Sequence, residues 1–164
     1  MDLVNRAYRP GLGGPGHAVA GWTHESALVS GPRLTLVQAR GLWTADTEVL
    51  VLDGSVGGLA ACVHLRRAGF DACIGLLAAD PAQQGSGLGS RLLAAAERHA
   101  LEVWGSDRAC ISVVAERSEL VAYYQRRGYV RRGNEVGPYP ASAGIGLPRR
   151  PGLGVIQMDK PLGA

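Results

Sequence analysis

Lysine is all but missing from this chain: of its 17 basic residues, every one except Lys160 is arginine. Aromatic residues are scarce too, with three Trp, five Tyr and one Phe among 164 residues. No apolar run reaches the roughly 18 residues of a membrane-spanning helix, which excludes a spanning segment. The opening Met1-Asp2-Leu3-Val4-Asn5-Arg6 lacks a basic stretch followed by an apolar one, so it does not read as a secretory leader. Cysteine is limited to Cys62, Cys73 and Cys110, an odd number, each in an apolar run and none at zinc-ligand spacing. They read as buried free thiols in a reducing cytoplasm. His17, His24, His64 and His99 form no ligand pattern, so no metal is expected. Excess acid is lacking as well: 14 acidic residues leave a net charge of +3. That balance invites a nucleic-acid reading, but the arginines are scattered apart from four doublets (66-67, 126-127, 131-132 and 149-150). Arg, Gly and Ala share GC-rich codons, which accounts for the excess without a nucleic-acid partner.

What is abundant is glycine, at 24 residues. The length suits one domain over 1–164, large enough to bury about 70% of its unfolded surface without disulfides or metal. Short helices are expected over 3–8, over 23–29 with Thr23 as N-cap, and near 35–39, with a loop over 11–16. Residues 48–52 read as a strand, turned by Asp53-Gly54 into a partner over 58–65. Arg66-Arg67-Ala68-Gly69 turns the chain again, and 72–79 is an apolar run of buried-strand length. Leu88, Leu92, Leu93, Ala96 and Ala100 share one face of a helix reaching about residue 103. A strand over 109–115 follows, then a helix over 118–127 with Ser118 as N-cap and Gly128 as its stop. Strands over 129–132 and 155–160 close the pattern. The long Pro/Gly-rich connection over 133–154 between them has the length of a functional or mobile segment, such as a lid. The fold class is therefore α/β with a mixed sheet, and the helical crossover makes 72–79 and 109–115 parallel neighbours.

The densest signal is Gln83-Gln84-Gly85-Ser86-Gly87-Leu88-Gly89-Ser90, between a buried strand and a helix start. Backbone N–H groups there have no intrahelical partners, the helix dipole adds positive charge, and glycines admit a large anion. A phosphate or pyrophosphate is the expected ligand; a turn that merely tightens the strand–helix corner is the bland alternative. No Gly-Lys-Ser/Thr follows, so this is not a Walker A loop. The first βαβ unit of a dinucleotide-binding fold is lacking as well.

Gln84-x-x-Gly87-x-Gly89, preceded by Ala79-Asp80-Pro81, resembles the acyl-CoA-binding signature of the GNAT N-acetyltransferase superfamily. Tyr123-Tyr124-Gln125-Arg126-Arg127-Gly128-Tyr129 is similar to that superfamily's second hallmark, a Tyr four residues before a Gly-aromatic pair. The helix–strand–helix between the motifs also fits, and the resemblance runs over about 48–132. It implies a mostly antiparallel central sheet with a splayed parallel strand pair and flanking helices. It implies acetyl-CoA as cosubstrate, with its pantetheine along Leu77, Ala78 and Ala79. The pyrophosphate would lie on Gln84, Gly85, Ser86, Gly87, Leu88 and Gly89, with Ser90. A substrate amine would attack the thioester and expel CoA thiolate, with Tyr124 protonating or positioning the sulfur. Packing beside Leu120 is the structural alternative for Tyr124.

Arg117 stands where the family often has Asn, leaving Arg117 or Ser118 for the pantetheine contact. The base that receives the amine proton is open among His64, Glu116, His24 and Glu25. Trp22, His24 and Glu25, with the segment around 138–151, are expected to line the acceptor site. Family members usually begin with a strand before the first helix, whereas this chain starts on Leu3-Val4-Asn5: either that strand is missing or the start differs from the relatives, and in the first case the edge at 48–52 is exposed and admits a homodimer. A CoA-binding sensor without turnover is the main rival reading, and a nucleotide-phosphate binder is the third.

Overall fold

The computed structural model describes residues 1–10, 21–54 and 57–163; the loop expected over 11–16, and His17, lie outside them. The chain opens in helix α1 (Asp2–Tyr8), which buries Leu3, Val4 and Ala7 at helical spacing. The helix expected over 23–29 is not formed. That stretch is irregular and ends in β1 (Val29–Ser30). Thr23 caps nothing; its hydroxyl accepts from Arg117 Nη2 at 2.6 Å and donates to Glu119 Oε1 at 2.7 Å. Tertiary partners have overridden the weak local preference of a segment too short to hold helix alone. Helix α2 (Leu36–Gly41) does form, with Thr35 and Gln38 closing a reciprocal capping box.

Strands β2 (Thr47–Asp53), β3 (Leu59–Ala68) and β4 (Asp71–Ala79) make an antiparallel meander. β3 continues through Arg66-Arg67-Ala68, which pair with Cys73, Ala72 and Asp71, so the reversal falls later than expected, at Gly69 with φ 63°. Helix α3 (Leu88–Glu102), β5 (Arg108–Val114) and α4 (Ser118–Gln125) follow. Arg117, not Ser118, is the N-cap of α4, and no side chain caps it. The Ser118 backbone is already helical, because the Arg117 carbonyl accepts the helix's first hydrogen bonds, from Leu120 and Val121. Gly128, with φ 87°, ends that helix in the left-handed conformation. Then come β6 (Val130–Arg131), β7 (Gly137–Pro138), β8 (Leu147–Pro148) and β9 (Gly154–Pro161).

The main sheet runs β2-β3-β4-β5-β9-β6, with β7 also on β9; among the described residues only β4–β5 is parallel. The mixed α/β architecture expected from the sequence is present. One face packs Ala61, Val63, Leu65, Ile111 and Val113 against Leu92, Leu93 and Ala96 of α3. The other sets Cys62 and Ala78 against Leu3, Val4 and Ala7 of α1. β2 is an edge strand with no strand outside it among the described residues. No described helix is long and apolar enough to cross a membrane.

Two irregularities shape the site. β4 carries a bulge: Cys62 pairs with Ala78 and His64 with Gly75, so Val63 faces both Leu76 and Leu77. Leu76 sits at φ 49°, a region that side chains rarely adopt. Bulges bend the strand that carries them. Parallel pairing with β5 accordingly stops at Cys73–Cys110, and the rest of β4 diverges from β5.

The second irregularity is a buried ion pair. Arg9 and Glu25 are 2% and 3% exposed and meet at 2.6 Å. Arg9 also donates to the carbonyls of Gly31 and, at 3.0 Å, Ile145. Gly146, at φ 101°, presses against this cage; a Cβ there would lie 2.7 Å from Arg9 Nη1. The connection over 133–154 is thereby pinned and is no free lid. β8 pairs with β1, β7 pairs with β9, and Tyr139 and Leu153 are buried. Glu25→Gln would leave the Arg9 guanidinium buried without its counter-charge. We expect a loss of about 3–5 kcal/mol of stability, read as a fall in the urea midpoint; an unchanged midpoint would show that the pair is dispensable.

Candidate active site

Asp80 starts the glycine turn by accepting a hydrogen bond from Ala82 N–H at 3.0 Å, with Pro81 at the first position of a short 3-10 turn. Gly85 and Gly87 take φ 88° and 83°, and a Cβ on either would meet nothing within 4 Å. Space above the turn is therefore open. Gln84 N–H and Ser86 N–H are turned back onto the carbonyls of Pro81 and Gln83. The first helical hydrogen bond of α3 runs from Arg91 N–H to Gly87 O, which leaves the preceding N–H groups without helical partners. Of the row expected to meet an anion, Gly85, Gly87, Leu88 and Gly89 thus remain suited to it. The Ser86 hydroxyl bonds Gln83 O at 2.6 Å, and Ser86 does not line the cavity below.

A cluster legible only in three dimensions flanks the turn. The Arg127 guanidinium lies 3.5 Å from the Tyr123 ring centre and donates to Ser90 Oγ at 2.5 Å. The Gln84 side chain bridges Trp22 N–H, at 2.8 Å, and Ala79 O, at 3.3 Å. Trp22 stacks on Tyr123 with ring centres 5.7 Å apart. Gln84 therefore ties the end of β4 to residues 21–22 instead of projecting free.

Beneath the turn lies a cavity of about 390 Å³. Leu77, Ala78, Ala79, Gln84, Gly85, Gly87, Leu88, Gly89, Ser90, Arg117 and Tyr124 all line it, as do Trp22 and Arg126. A second cavity, of about 730 Å³, opens on the other side of the sheet between β4, β5 and α2. Tyr8, Leu77, Arg117, Leu120 and Tyr124 belong to both, so the two spaces meet at the gap between β4 and β5. Tyr8 donates to Leu77 O at 3.2 Å. Tyr124 is buried edge-to-face between Tyr123 and Tyr129, and no described residue hydrogen-bonds its hydroxyl. Burial above all, helped by Tyr8 and Tyr123, pushes its pKa well up, so the phenol stays protonated.

The four base candidates separate clearly. Glu116 pairs with Arg150 at 3.4 Å and lines neither cavity, nor does His24. Glu25 faces the second cavity but is held by Arg9, with Arg33 at 3.7 Å and Arg117 at 3.9 Å. His64 also lines the second cavity, and its Nε2 has no hydrogen-bond partner. Trp22 lies at the first cavity, apart from Glu25.

A family model for the acetyltransferase (GNAT) domain matches residues 40–131. The chain belongs to the GNAT acetyltransferase family. Comparison with curated proteins finds no significant match. Among solved structures, the ribosomal-protein-S18-alanine N-acetyltransferase from Escherichia coli is similar at TM-score 0.65 and 20% identity, over 85% of this chain and 84% of that one. Nourseothricin acetyltransferase is similar at TM-score 0.60 and 22% identity, over 73% and 67%. Spermidine/spermine N-acetyltransferase from Vibrio cholerae reaches TM-score 0.60 at 17% identity, over 75% and 69%. At these identities the likeness establishes the fold.

Sequence reasoning missed Tyr8 and the two arginines beside the GNAT turn, read Thr23 only as a helix cap, and weighed Tyr123 only as a competitor of Tyr124 whose spacing from Gly128 is one residue off. The doublet Arg126-Arg127, inside the second motif, was the available signal; nothing local marks Tyr8. Burial chiefly, against an opposing backbone contact from Leu42, holds His64 below the usual 6.5. The unfolded chain therefore takes up a proton near pH 6 that the folded chain refuses, and stability falls as pH drops below about 6.5. His64→Gln should flatten the urea-midpoint slope between about pH 7 and pH 5; parallel slopes for both proteins would remove His64 from that dependence.

Proposed function

We propose that this chain is an N-acetyltransferase that moves the acetyl group of acetyl-CoA to a primary amine seated in the second cavity. One observation carries the reading: the two cavities meet at a break in the sheet lined by Leu77 and Tyr124. A thioester reaching that break from one side meets an amine arriving from the other. The fit to acetyl-CoA rests on three features. β4 lacks a partner on β5 beyond Cys73, which suits an extended amide-bearing arm. The turn is open above Gly85 and Gly87, and the N–H groups at the start of α3 have no helical partners. Arg126 lies at the same cavity and adds positive charge.

Acetyl-CoA supplies the activated acyl group. Leu77, Ala78 and Ala79 would hold its pantetheine, and Gly85, Gly87, Leu88 and Gly89, with Ser90, its pyrophosphate. Arg117 is occupied with Thr23 and Glu25 and would shape the passage between the cavities. Tyr124 carries an unshared proton beside the gap, the state a donor to a leaving thiolate requires. His64 is the candidate with an unpartnered nitrogen on the acceptor side, and we assign it the proton-accepting role. The same proposal takes residues 1–164 as one domain acting in the cytoplasm. It takes the free edge of β2 as a surface where a second copy could pair, with mass in solution as its readout.

Acetyl-CoA and a broad amine panel, with free-thiol release followed, test the reading. Acceptor-dependent release is expected; tight CoA binding with no such release would instead establish a sensor. Binding of ATP or NAD but not CoA would overturn both. Tyr124→Phe should lower kcat by about 10–100-fold while acetyl-CoA affinity stays nearly constant; full turnover would take Tyr124 out of the chemistry. Gly87→Val places a branched Cβ at a left-handed position and should weaken acetyl-CoA binding by about tenfold or more, measured by calorimetry.

A further inference from the structure

Cys73, at the second cavity, and the buried Cys110 behind it are a pair of thiols that the acetyl-transfer reading does not use. Cys73 on β4 and Cys110 on β5 face one another in register, at the last pair before the two strands diverge. Their sulfurs are 3.4 Å apart. Neighbouring strands bring in-register Cα atoms to about 5 Å, inside the range a disulfide spans, so closure needs side-chain rotation and no strand movement. Cys110 is buried, whereas Cys73 is half-buried and lines the cavity. Arg66, from β3, places Nη2 3.5 Å from Cys73 Sγ. The three cysteines therefore differ sharply in setting. Cys62 is buried against α1, and its nearest polar contact is Leu76 O at 3.9 Å.

We propose that Cys73 and Cys110 form a thiol–disulfide couple, with Cys73 the attacking thiolate toward small-molecule disulfides admitted by the second cavity. Hydrogen-bonding contact with the Cys110 sulfur, 3.4 Å away, and then the Arg66 charge hold Cys73 below the usual thiol range. The same contact and burial push Cys110 up, so it remains the protonated partner. Asp71 opposes the Cys73 charge, while Arg132 supports it. The step balances as an exchange. Cys73 Sγ attacks one sulfur of a small disulfide, forms a mixed disulfide and releases one thiolate. Cys110 then gives up its proton, and its sulfur attacks Cys73 Sγ, breaking the mixed S–S bond and releasing the second thiolate. Two protein thiols are oxidised, one small disulfide is reduced to two thiols, and the protein's protons end on those thiols. The closed bond would staple β4 to β5 where they part and remove the Cys73 thiolate from beside Arg66. None of this depends on which acceptor the protein uses.

The test treats the folded full-length protein with oxidised glutathione and reads intact mass and linked peptides. The parent should lose two hydrogen masses, with Cys73 joined to Cys110 and Cys62 free. Cys110→Ser should retain one glutathione on Cys73, and Cys73→Ser should gain no internal bond. Because either serine could disturb the sheet, alkylation of the unmodified parent by iodoacetamide gives an independent reading. Cys73 should react at least about tenfold faster than Cys62, and the exposed-side change Arg66→Gln should slow Cys73 several-fold while leaving Cys62 unaltered. Reaction at Cys62 first, a persistent mixed disulfide on Cys73 in the parent, or equal alkylation rates would overturn the proposal.

Discussion

The Arg9–Glu25 pair is the contact on which the irregular half of this structure depends. An unpaired charge in such a place would cost several kcal/mol, so the pair persists only because its remaining valences are met. The guanidinium also reaches the carbonyls of Gly31 and Ile145, which belong to segments far apart in sequence. Glu25 in turn draws in Arg33 and Arg117. The pair thus gathers the end of α1, the segments around β1, the connection before β8 and the start of α4. Tyr8, Arg33, Arg117 and Ile145, from these segments, line the second cavity.

The bulge on β4 is the complementary constraint on the regular half. Adding one residue opposite Val63 forces Leu76 into the left-handed region and turns the strand away from β5. On the α3 side Leu92 and Leu93 are almost wholly buried, while β4 and β5 pair over Asp71–Cys73 and part beyond it. A sheet that would otherwise be continuous acquires a passage, and Tyr8 and Tyr124 both line it. The same geometry brings Cys73 against Cys110, because the strands are closest in register just before they separate.

Much of this was legible in the residues. The apolar face of α3 matches the buried set Leu92, Leu93, Ala96 and Ala100, because helical period directly reports a single buried face. The glycine turn and Gly128 were legible because positive φ selects glycine whatever the surroundings. Residues 23–29 were misread as helix because Thr23 and Glu25 satisfy distant partners, a fact that no local preference records. Pairing of β1 with β8 joins two-residue strands 117 positions apart, as in the Ser30 Oγ to Leu147 O bond, and neither strand has a period to detect. The sorting of His64 from Glu25, Glu116 and His24 was equally invisible, since it rests on who pairs with whom.

By itself, then, the sequence determined the α/β class, the meander, the glycine turn before α3 and the placing of Tyr124 on α4. Each of these follows from short-range stereochemistry or from a repeating burial pattern. Only the tertiary structure decided where the sheet opens, which carboxylates are already spent on arginines, and that two of three scattered thiols are neighbours. Those outcomes depend on register and on buried charge. A single misplaced bulge residue shifts register, and a buried charge finds its partner through space, not along the chain.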